Sequence, residues 1–199
     1  MAPVRLSEYR VGEAVLNRVM KDQLADVSSP EDLVTYLEKV KNEDEDEDEE
    51  KLILQLALIV RRIGEALKND KEMKTMMGKM SNKSNYWKVV EKVFEDGLIT
   101  WERIAVLFYV AGRMAVKVVI AHLPQYVKDI LTWTLEYFKR NLLSWVKENG
   151  GWMNSFSELA RVQGERMNSM SARSSGILLV FIGGFLLGCV TFWKLSNRT

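Results

Sequence analysis

Residues 101–120, WERIAVLFYVAGRMAVKVVI, are the stretch on which the rest of the chain depends. Fifteen of the twenty residues are apolar, and on a helical wheel Glu102, Arg113 and Lys117 fall within about 60° of one another. A helix that is apolar on nearly every other face needs neighbours on nearly every side. The stretch therefore predicts the central helix of an all-α bundle, although one ordinary buried helix among several would show the same pattern.

Helical patterns also precede and follow this stretch. Ser7 is a suitable cap for a helix over residues 7–25. Leu123-Pro124 separates the central helix from another over residues 124–147, so the two are expected to form an antiparallel hairpin. The apolar face of that second helix comprises Val127, Ile130, Leu131, Leu135, Phe138, Leu142 and Trp145.

Residues 51–69 predict an amphipathic helix. Apolar residues recur there at spacings of four, four, three and four: Leu52, Leu56, Val60, Ile63 and Leu67. Gly64 interrupts this pattern at a cost of about 1 kcal/mol relative to alanine. A glycine at such a position predicts the close approach of another backbone.

Eight consecutive acids, EDEDEDEE, occupy residues 43–50. Such a run repels itself and favours an extended, solvated chain, so residues 42–50 are predicted to form a flexible loop. A calcium site is the weaker alternative, because the glycine-bearing loop of twelve residues typical of calcium-binding helices is missing from this stretch.

The stretch GILLVFIGGFLLGCVTFW, residues 176–193, carries no charge. As a helix it measures about 27 Å, close to the thickness of a bilayer core. It begins at Gly176 and ends at Trp193, an aromatic residue suited to the membrane interface. We expect a bundle over residues 1–170 facing the cytosol and a C-terminal membrane anchor over residues 171–199. A helix stowed in a groove of the soluble domain until its release would have the same composition.

Several functional classes are disfavoured. The chain has one cysteine, Cys189, and one histidine, His122, so a zinc site built from Cys and His alone lacks ligands. No nucleotide-binding or catalytic sequence motif occurs, and we expect no catalytic residue, no metal, no cofactor and no enzymatic activity. The net charge of +1 and the dispersed basic residues argue against binding to nucleic acid.

Three segments together resemble the homology motifs of the Bcl-2 family. LALIVRRIGEAL at residues 56–67 is similar to the third motif, FEDGLITWERI at residues 94–104 to the first, and WVKENGGW at residues 145–152 to the second. Their order, their spacing and the apolar C-terminal stretch also agree with that family. The resemblance implies a bundle of about eight helices around a central hydrophobic helical hairpin, with a C-terminal transmembrane helix.

The resemblance further implies a hydrophobic groove that receives an amphipathic helix from a partner. The implied groove residues are Phe94, Trp101, Glu102, Arg103, Val106 and Leu107, and the implied second-motif residues are Gly150, Gly151 and Trp152. The implied anchors of the ligand helix are Leu56, Val60, Ile63 and Leu67, with Gly64 and Glu65 between the last two. Arg103 would pair with the acid of the incoming helix. Glu102 and Thr100 depart from the family's usual glycine and asparagine, which bears on how closely a ligand helix approaches.

The resemblance is strongest to the pore-forming, pro-apoptotic effectors of the family. It implies a protein of the cytosol, the mitochondrial outer membrane and the endoplasmic reticulum that binds other family members, self-associates and enters lipid. Gly150, Gly151 and Trp152, followed by residues 156–159, favour instead the survival-promoting members, which hold such helices without forming a pore. A tail-anchored scaffold without either activity is a third interpretation.

Overall fold

The computed structural model describes residues 7–25, 47–67, 71–79 and 82–155, together with Val27, Leu33 and Leu37. This part of the chain contains no strand. Its α-helices are α1 (Glu8–Leu24), α2 (Glu47–Leu67), α3 (Lys71–Lys79), α4 (Lys83–Val93), α5 (Trp101–Ile120), α6 (Tyr126–Tyr137) and α7 (Leu143–Glu148). A π-helical segment (Phe138–Leu142) joins α6 to α7, and a short helical turn follows at residues 151–155.

Helix α5 is the centre of the bundle, as the sequence predicts. The Thr100 side chain caps it by accepting a hydrogen bond from the Arg103 backbone N–H at 3.3 Å. Most of its residues are buried, and α1, α2, α3, α4 and α6 all pack against it. On its polar stripe, the Lys117 amine donates to the carbonyl of Gly78 at 2.7 Å and to that of Met77, which holds the end of α3 against α5.

Helix α1 packs closely against both α2 and α5. Its predicted cap is confirmed, because the Ser7 hydroxyl accepts a hydrogen bond from the Arg10 backbone N–H at 3.4 Å. The Gln23 side-chain amide reaches α5 and donates to the Tyr109 carbonyl at 3.3 Å. A Cβ at Gly112 would lie 2.5 Å from that amide nitrogen, so a larger residue there would displace the Gln23 side chain.

The prediction of an extended acidic loop is wrong for residues 47–50, which form the first turn of α2. Acidic side chains stabilise a helix at this end because the backbone dipole places partial positive charge there. Lys51 adds to this, since its amine lies 3.4 Å from the Asp48 carboxylate and 3.8 Å from that of Glu47. Residues 42–46 lie outside the described part of the chain.

The helix predicted over residues 124–147 begins instead at Tyr126 and is interrupted by the π-helical segment. An α-helix repeats its face after about seven residues, which would carry the buried face from Phe138 to Trp145. The π turn contains one extra residue, so the face recurs after eight residues. Val146 is consequently fully buried and Trp145 only partly buried.

None of the helices in the described ranges is long and apolar enough to cross a membrane. The predicted membrane anchor, with Gly176 and Trp193, lies outside those ranges, as do the ends of both predicted domains, 1–170 and 171–199.

Candidate functional site

The four predicted anchors of the third motif lie on the inner face of α2. Leu56, Val60 and Leu67 are buried, Ile63 is partly buried, and the helix packs on α1 and α5. Glu65, the predicted acid of the motif, is exposed at the edge of the same helix. The side chains that would bind a groove in another molecule are therefore held in the protein's own core.

Position 64 requires glycine because an aromatic ring packs against it. The sequence pattern instead predicts the close approach of another backbone. A Cβ at this position would lie 2.0 Å from Cδ2 of Tyr109, far inside van der Waals contact. The ring of Tyr109 consequently lies close against the backbone of α2 at Gly64, and Tyr109 is only 2% exposed. This contact joins the middle of α5 to the third motif, and any larger residue at position 64 would push the two helices apart.

Arg103 is buried and already bound to an acid of its own chain. Its Nη2 donates to Oδ2 of Asp96 at 2.7 Å, and its Nη1 contacts Oδ1 of Asp96 and the carbonyl of Leu98. The hydrogen bond from this guanidinium lowers the pKa of Asp96 to about 2. The family resemblance implies that Arg103 pairs with a partner's acid, but in this structure Asp96 takes that place.

The turn between α4 and α5 positions Asp96 for this contact. Gly97 has a φ of 75°, a left-handed conformation that favours glycine, and the Leu98 backbone N–H donates to Oδ1 of Asp96 at 3.0 Å. Glu102, which replaces the family's usual glycine, is exposed beside the buried Arg103.

An aromatic cluster brings the first and second motifs together. The ring centroid of Trp101 lies 4.9 Å from that of Trp145 and 5.6 Å from that of Trp152. Trp152 also lies 5.8 Å from Phe138 and 6.0 Å from Phe108. The first and second motifs therefore lie side by side, and their tryptophans pack on one another in the interior.

The other predicted groove residues differ in burial. Leu107 is buried, whereas Phe94 and Val106 are partly buried at the edge of the core. The ring of Phe94 lies 5.6 Å from that of Tyr137 on α6. Among the six predicted groove residues, Glu102 is therefore exposed, Phe94 and Val106 are partly buried, and Trp101, Arg103 and Leu107 are buried.

The second motif is tied to the start of α1 by Glu8. The backbone N–H of Trp152 donates to Oε2 of Glu8 at 2.9 Å, and its indole N–H donates to the Glu8 carbonyl at 2.7 Å. Gly150 and Gly151 have φ values of 84° and 72°, and a Cβ at Gly151 would lie 2.4 Å from the Glu8 carboxylate. No sequence pattern indicates this contact, since Glu8 and Trp152 are 144 positions apart.

Within the described residues, no three His, Cys, Asp or Glu side chains come together as a metal site would require. In this part of the chain, the residues of the three motifs instead take part in contacts between helices.

Comparison with known proteins agrees with this geometry. Residues 60–152 match the family model described as apoptosis regulator proteins of the Bcl-2 family. The human apoptosis regulator BAX is 26% identical over 143 residues, which cover 70% of this chain and 69% of that protein. The chicken apoptosis regulator Bcl-2 is 42% identical, but over 71 residues that cover 36% of this chain and 30% of that protein.

Two solved structures share the fold. The crystal structure of chicken BOK superimposes with a TM-score of 0.59 at 19% identity and covers 75% of this chain and 94% of its own. The Trichoplax adhaerens protein trBcl-2L2, solved bound to the trBak BH3, gives a TM-score of 0.59 at 18% identity over 76% of this chain and 99% of its own.

Proposed function

Because the chain carries a Bcl-2 family domain and is an apoptosis regulator of that family, we propose that it acts as a Bax-like effector. In this role it self-associates and permeabilises the mitochondrial outer membrane. The observation that carries the proposal is the extent of the similarity: Bax matches 70% of the chain, whereas Bcl-2 matches 36%.

Release of α2 is the first step of the proposed mechanism. Leu56, Val60 and Leu67 leave the core, and exposing each costs about 1.5–3 kcal/mol of hydrophobic stabilisation. An exposed stripe of this kind needs a new apolar partner, and the groove of a second copy provides one. Burial of the anchors in the free protein therefore acts as the restraint that an activating ligand has to overcome.

Arg103 exchanges one carboxylate for another in the second step. In the free protein the guanidinium of Arg103 is hydrogen-bonded to Asp96. In the self-associated form, Glu65 of the incoming helix takes over this charge-assisted contact. Asp96 lies in an exposed turn and can rotate into solvent, so the exchange does not require the helices of the groove to move.

The membrane steps follow from the apolar content of the chain. The hairpin of α5 and α6 loses its cover when α2 leaves and settles into lipid, while residues 176–193 anchor the protein. The proposed locations are the cytosol before activation and the mitochondrial outer membrane or the endoplasmic reticulum thereafter.

A survival-promoting protein is the second candidate. The observation that favours it is the 42% identity to chicken Bcl-2 across 71 residues, a higher identity than that to Bax. The structurally similar trBcl-2L2 was solved bound to the trBak BH3. In this second function the groove of the present chain would likewise hold the amphipathic helices of other family members. The protein would then prevent permeabilisation rather than cause it.

Dye-loaded liposomes of mitochondrial lipid composition separate the two candidates. The full-length protein is added with an activating amphipathic peptide, and dye release is followed by fluorescence. We expect release that depends on peptide dose. If no dose gives release, and the protein instead suppresses release by an established effector, the survival function is the correct one.

Two variants of α2 test whether the third motif carries the activity. Glu65→Arg places a cation opposite Arg103 in the self-associated form, and we expect it to reduce release at least about tenfold through like-charge repulsion. Gln55→Arg adds the same charge at another exposed position of α2 and serves as the matched control. Equal release from both variants would contradict the proposed pairing.

A further inference from the structure

Two tyrosines of the bundle are similarly buried, but their hydroxyl groups differ in hydrogen bonding. Tyr86 is fully buried, and Tyr109 is almost so. The hydroxyl of Tyr86 lies 2.7 Å from the buried hydroxyl of Thr134, and the two form a hydrogen bond. The hydroxyl of Tyr109 has no hydrogen-bond partner among the described residues. Buried hydroxyl groups nearly always have a partner, so the unpaired Tyr109 calls for an explanation.

Solvent does not supply the missing partner. Tyr109 and Gln23 both line a cavity of about 50 Å³ where α1, α2 and α5 meet. The amide nitrogen of Gln23 donates to the Tyr109 carbonyl, but Oε1 of Gln23 is also unpaired in the part of the chain that the structure describes. Neither this oxygen nor the Tyr109 hydroxyl has surface that a water in the cavity could contact. The junction of the three helices therefore excludes water from both groups.

The charged side chains nearby do not act as partners of the hydroxyl either. Burial raises the pKa of Tyr109, with Arg113 acting against the rise and Glu65 adding to it. These side chains are close enough to affect the phenol by their charge, yet neither forms a hydrogen bond with its hydroxyl. The phenol keeps its proton at neutral pH, so the hydroxyl remains a donor and an acceptor with both capacities unused.

Helix α2 forms one side of this junction. The ring of Tyr109 packs against Gly64, where a Cβ would lie 2.0 Å from Cδ2 of the ring. Three further residues of α2 line the same cavity: Ala57, Arg61 and Glu65. Departure of α2 would uncover this side of Tyr109 and admit water to the hydroxyl. A buried polar group without a partner costs free energy that hydration restores, so the cost applies while α2 is in place and ends when it leaves.

We propose that the unpaired hydroxyl of Tyr109 is a built-in destabilising group that lowers the free energy needed to release α2. Tyr86 has no such effect, because its hydrogen bond joins α4 to α6. Helix α2 packs mainly against α1 and α5, so its release leaves that bond in place. The regulatory consequence is a lower threshold for activation, and it rests on the proposed release of α2 as the first step towards permeabilisation.

Amide hydrogen exchange of the full-length protein, without peptide or membrane, tests the effect of the hydroxyl. Tyr109→Phe keeps the ring against Gly64 and removes only the unpaired oxygen. We expect the amides of residues 60–64 to exchange at least about fivefold more slowly than in the wild type, because the closed state no longer buries an unpaired group. Exchange in α2 that is as fast as in the wild type, or faster, would overturn the proposal.

Tyr86→Phe is the matched control. It is the same substitution at a similarly buried position, but it removes a hydroxyl that has a partner. We expect a lower urea midpoint of unfolding and no slowing of exchange in α2. If Tyr86→Phe slowed exchange in α2 as much as Tyr109→Phe, the gain would come from the more apolar ring and not from the unpaired hydroxyl, and the proposal would be wrong.

The liposome assay relates this effect to activity. Tyr109→Phe should raise the peptide dose for half-maximal dye release by at least about fivefold, and Tyr86→Phe should not raise it. Slower exchange in Tyr109→Phe with no dye release from any protein would support the role of the hydroxyl and contradict the effector function. Dye release with unchanged exchange in α2 would do the reverse. Slower exchange with an unchanged peptide dose would overturn the link to the activation threshold.

Discussion

At the scale of single residues, the contact between Arg103 and Asp96 determines the state of the groove before any partner arrives. Removing one partner of a buried ion pair leaves the other charge without compensation, which costs more than the pair contributes. Arg103 has a side chain only 6% exposed, whereas that of Asp96 is 30% exposed, so solvent screens part of the interaction.

Asp96→Asn should lower the free energy of unfolding at pH 7 by roughly 1–3 kcal/mol. The folded-state pKa of Asp96 is depressed to about 2 from its ordinary 3.8. Its contribution is therefore complete above about pH 4 and is lost as the pH falls towards 2. Urea unfolding of the variant and the wild type at several pH values measures the difference, which should shrink across that interval.

Glu95→Gln is the control for that experiment. It removes the exposed pair with Lys92, which lies 2.6 Å away, and exposed pairs contribute about 0–1 kcal/mol. If Glu95→Gln lowered the free energy of unfolding as much as Asp96→Asn, the stabilisation would come from negative charge anywhere in this turn and not from pairing with the buried Arg103.

Gly64 and Gly78 offer a matched pair of substitutions. Gly64→Ala places a methyl group into the ring of Tyr109, and the forced movement should destabilise the protein by roughly 1–3 kcal/mol. In Gly78→Ala the added Cβ meets nothing within 4 Å, so the better helix propensity should stabilise by up to about 1 kcal/mol. Urea midpoints that move in the same direction would contradict the assigned contact.

At the scale of helices, the sequence predicts the features that depend on residues close together in the chain. Ser7 and Thr100 mark the starts of α1 and α5, and the spacing of Leu56, Val60 and Leu67 predicts the buried face of α2. These are effects of capping and periodicity within a few residues. The contact between the first and second motifs joins residues distant in sequence, and periodicity does not indicate it.

The π-helical segment and the acidic first turn of α2 could not be predicted in the same way. The extra residue within Phe138–Leu142 has no local signature, because its effect is on the residues that follow: Val146 is fully buried, and the partly buried Trp145 packs on Trp101. In the acidic run, repulsion and the helix dipole oppose each other, and composition alone does not decide between them.

Glu8 connects two helical elements, so its loss should loosen the second motif specifically. Glu8→Ala removes the acceptor of the Trp152 backbone N–H, worth about 1–2 kcal/mol, and should speed exchange of that amide roughly 5–30-fold. Glu13→Ala on the same helix removes only a pair with Arg10 and should leave the exchange unchanged. Equal protection of Trp152 in all three proteins would contradict a role for Glu8.

At the scale of the whole molecule, the bundle divides into a restrained helix and the core that restrains it. Helix α2 packs mainly against α1 and α5, and its anchors Leu56, Val60 and Leu67 are buried. Contacts between residues distant in sequence decide how the helices pack, which is why the contact of Tyr109 with Gly64 could not be found from motifs alone.

Hydrogen exchange on liposomes tests that division. With activating peptide, the amides of α2 should lose protection while those of the middle of α5 become protected by lipid. The same protein with peptide but without liposomes provides the control. Protection of α2 that persists under every activating condition would exclude its release as the first step.

Arg103 already binds the carboxylate of Asp96, and this affects the selectivity of the protein among ligand helices. In the proposed binding mode an arriving acid would have to substitute for Asp96, so the number of ion pairs would be the same before and after, and the Coulombic gain would nearly cancel. Added salt should therefore change the affinity for ligand helices only slightly. Discrimination among competing helices should then depend mainly on the shape and volume of their apolar side chains.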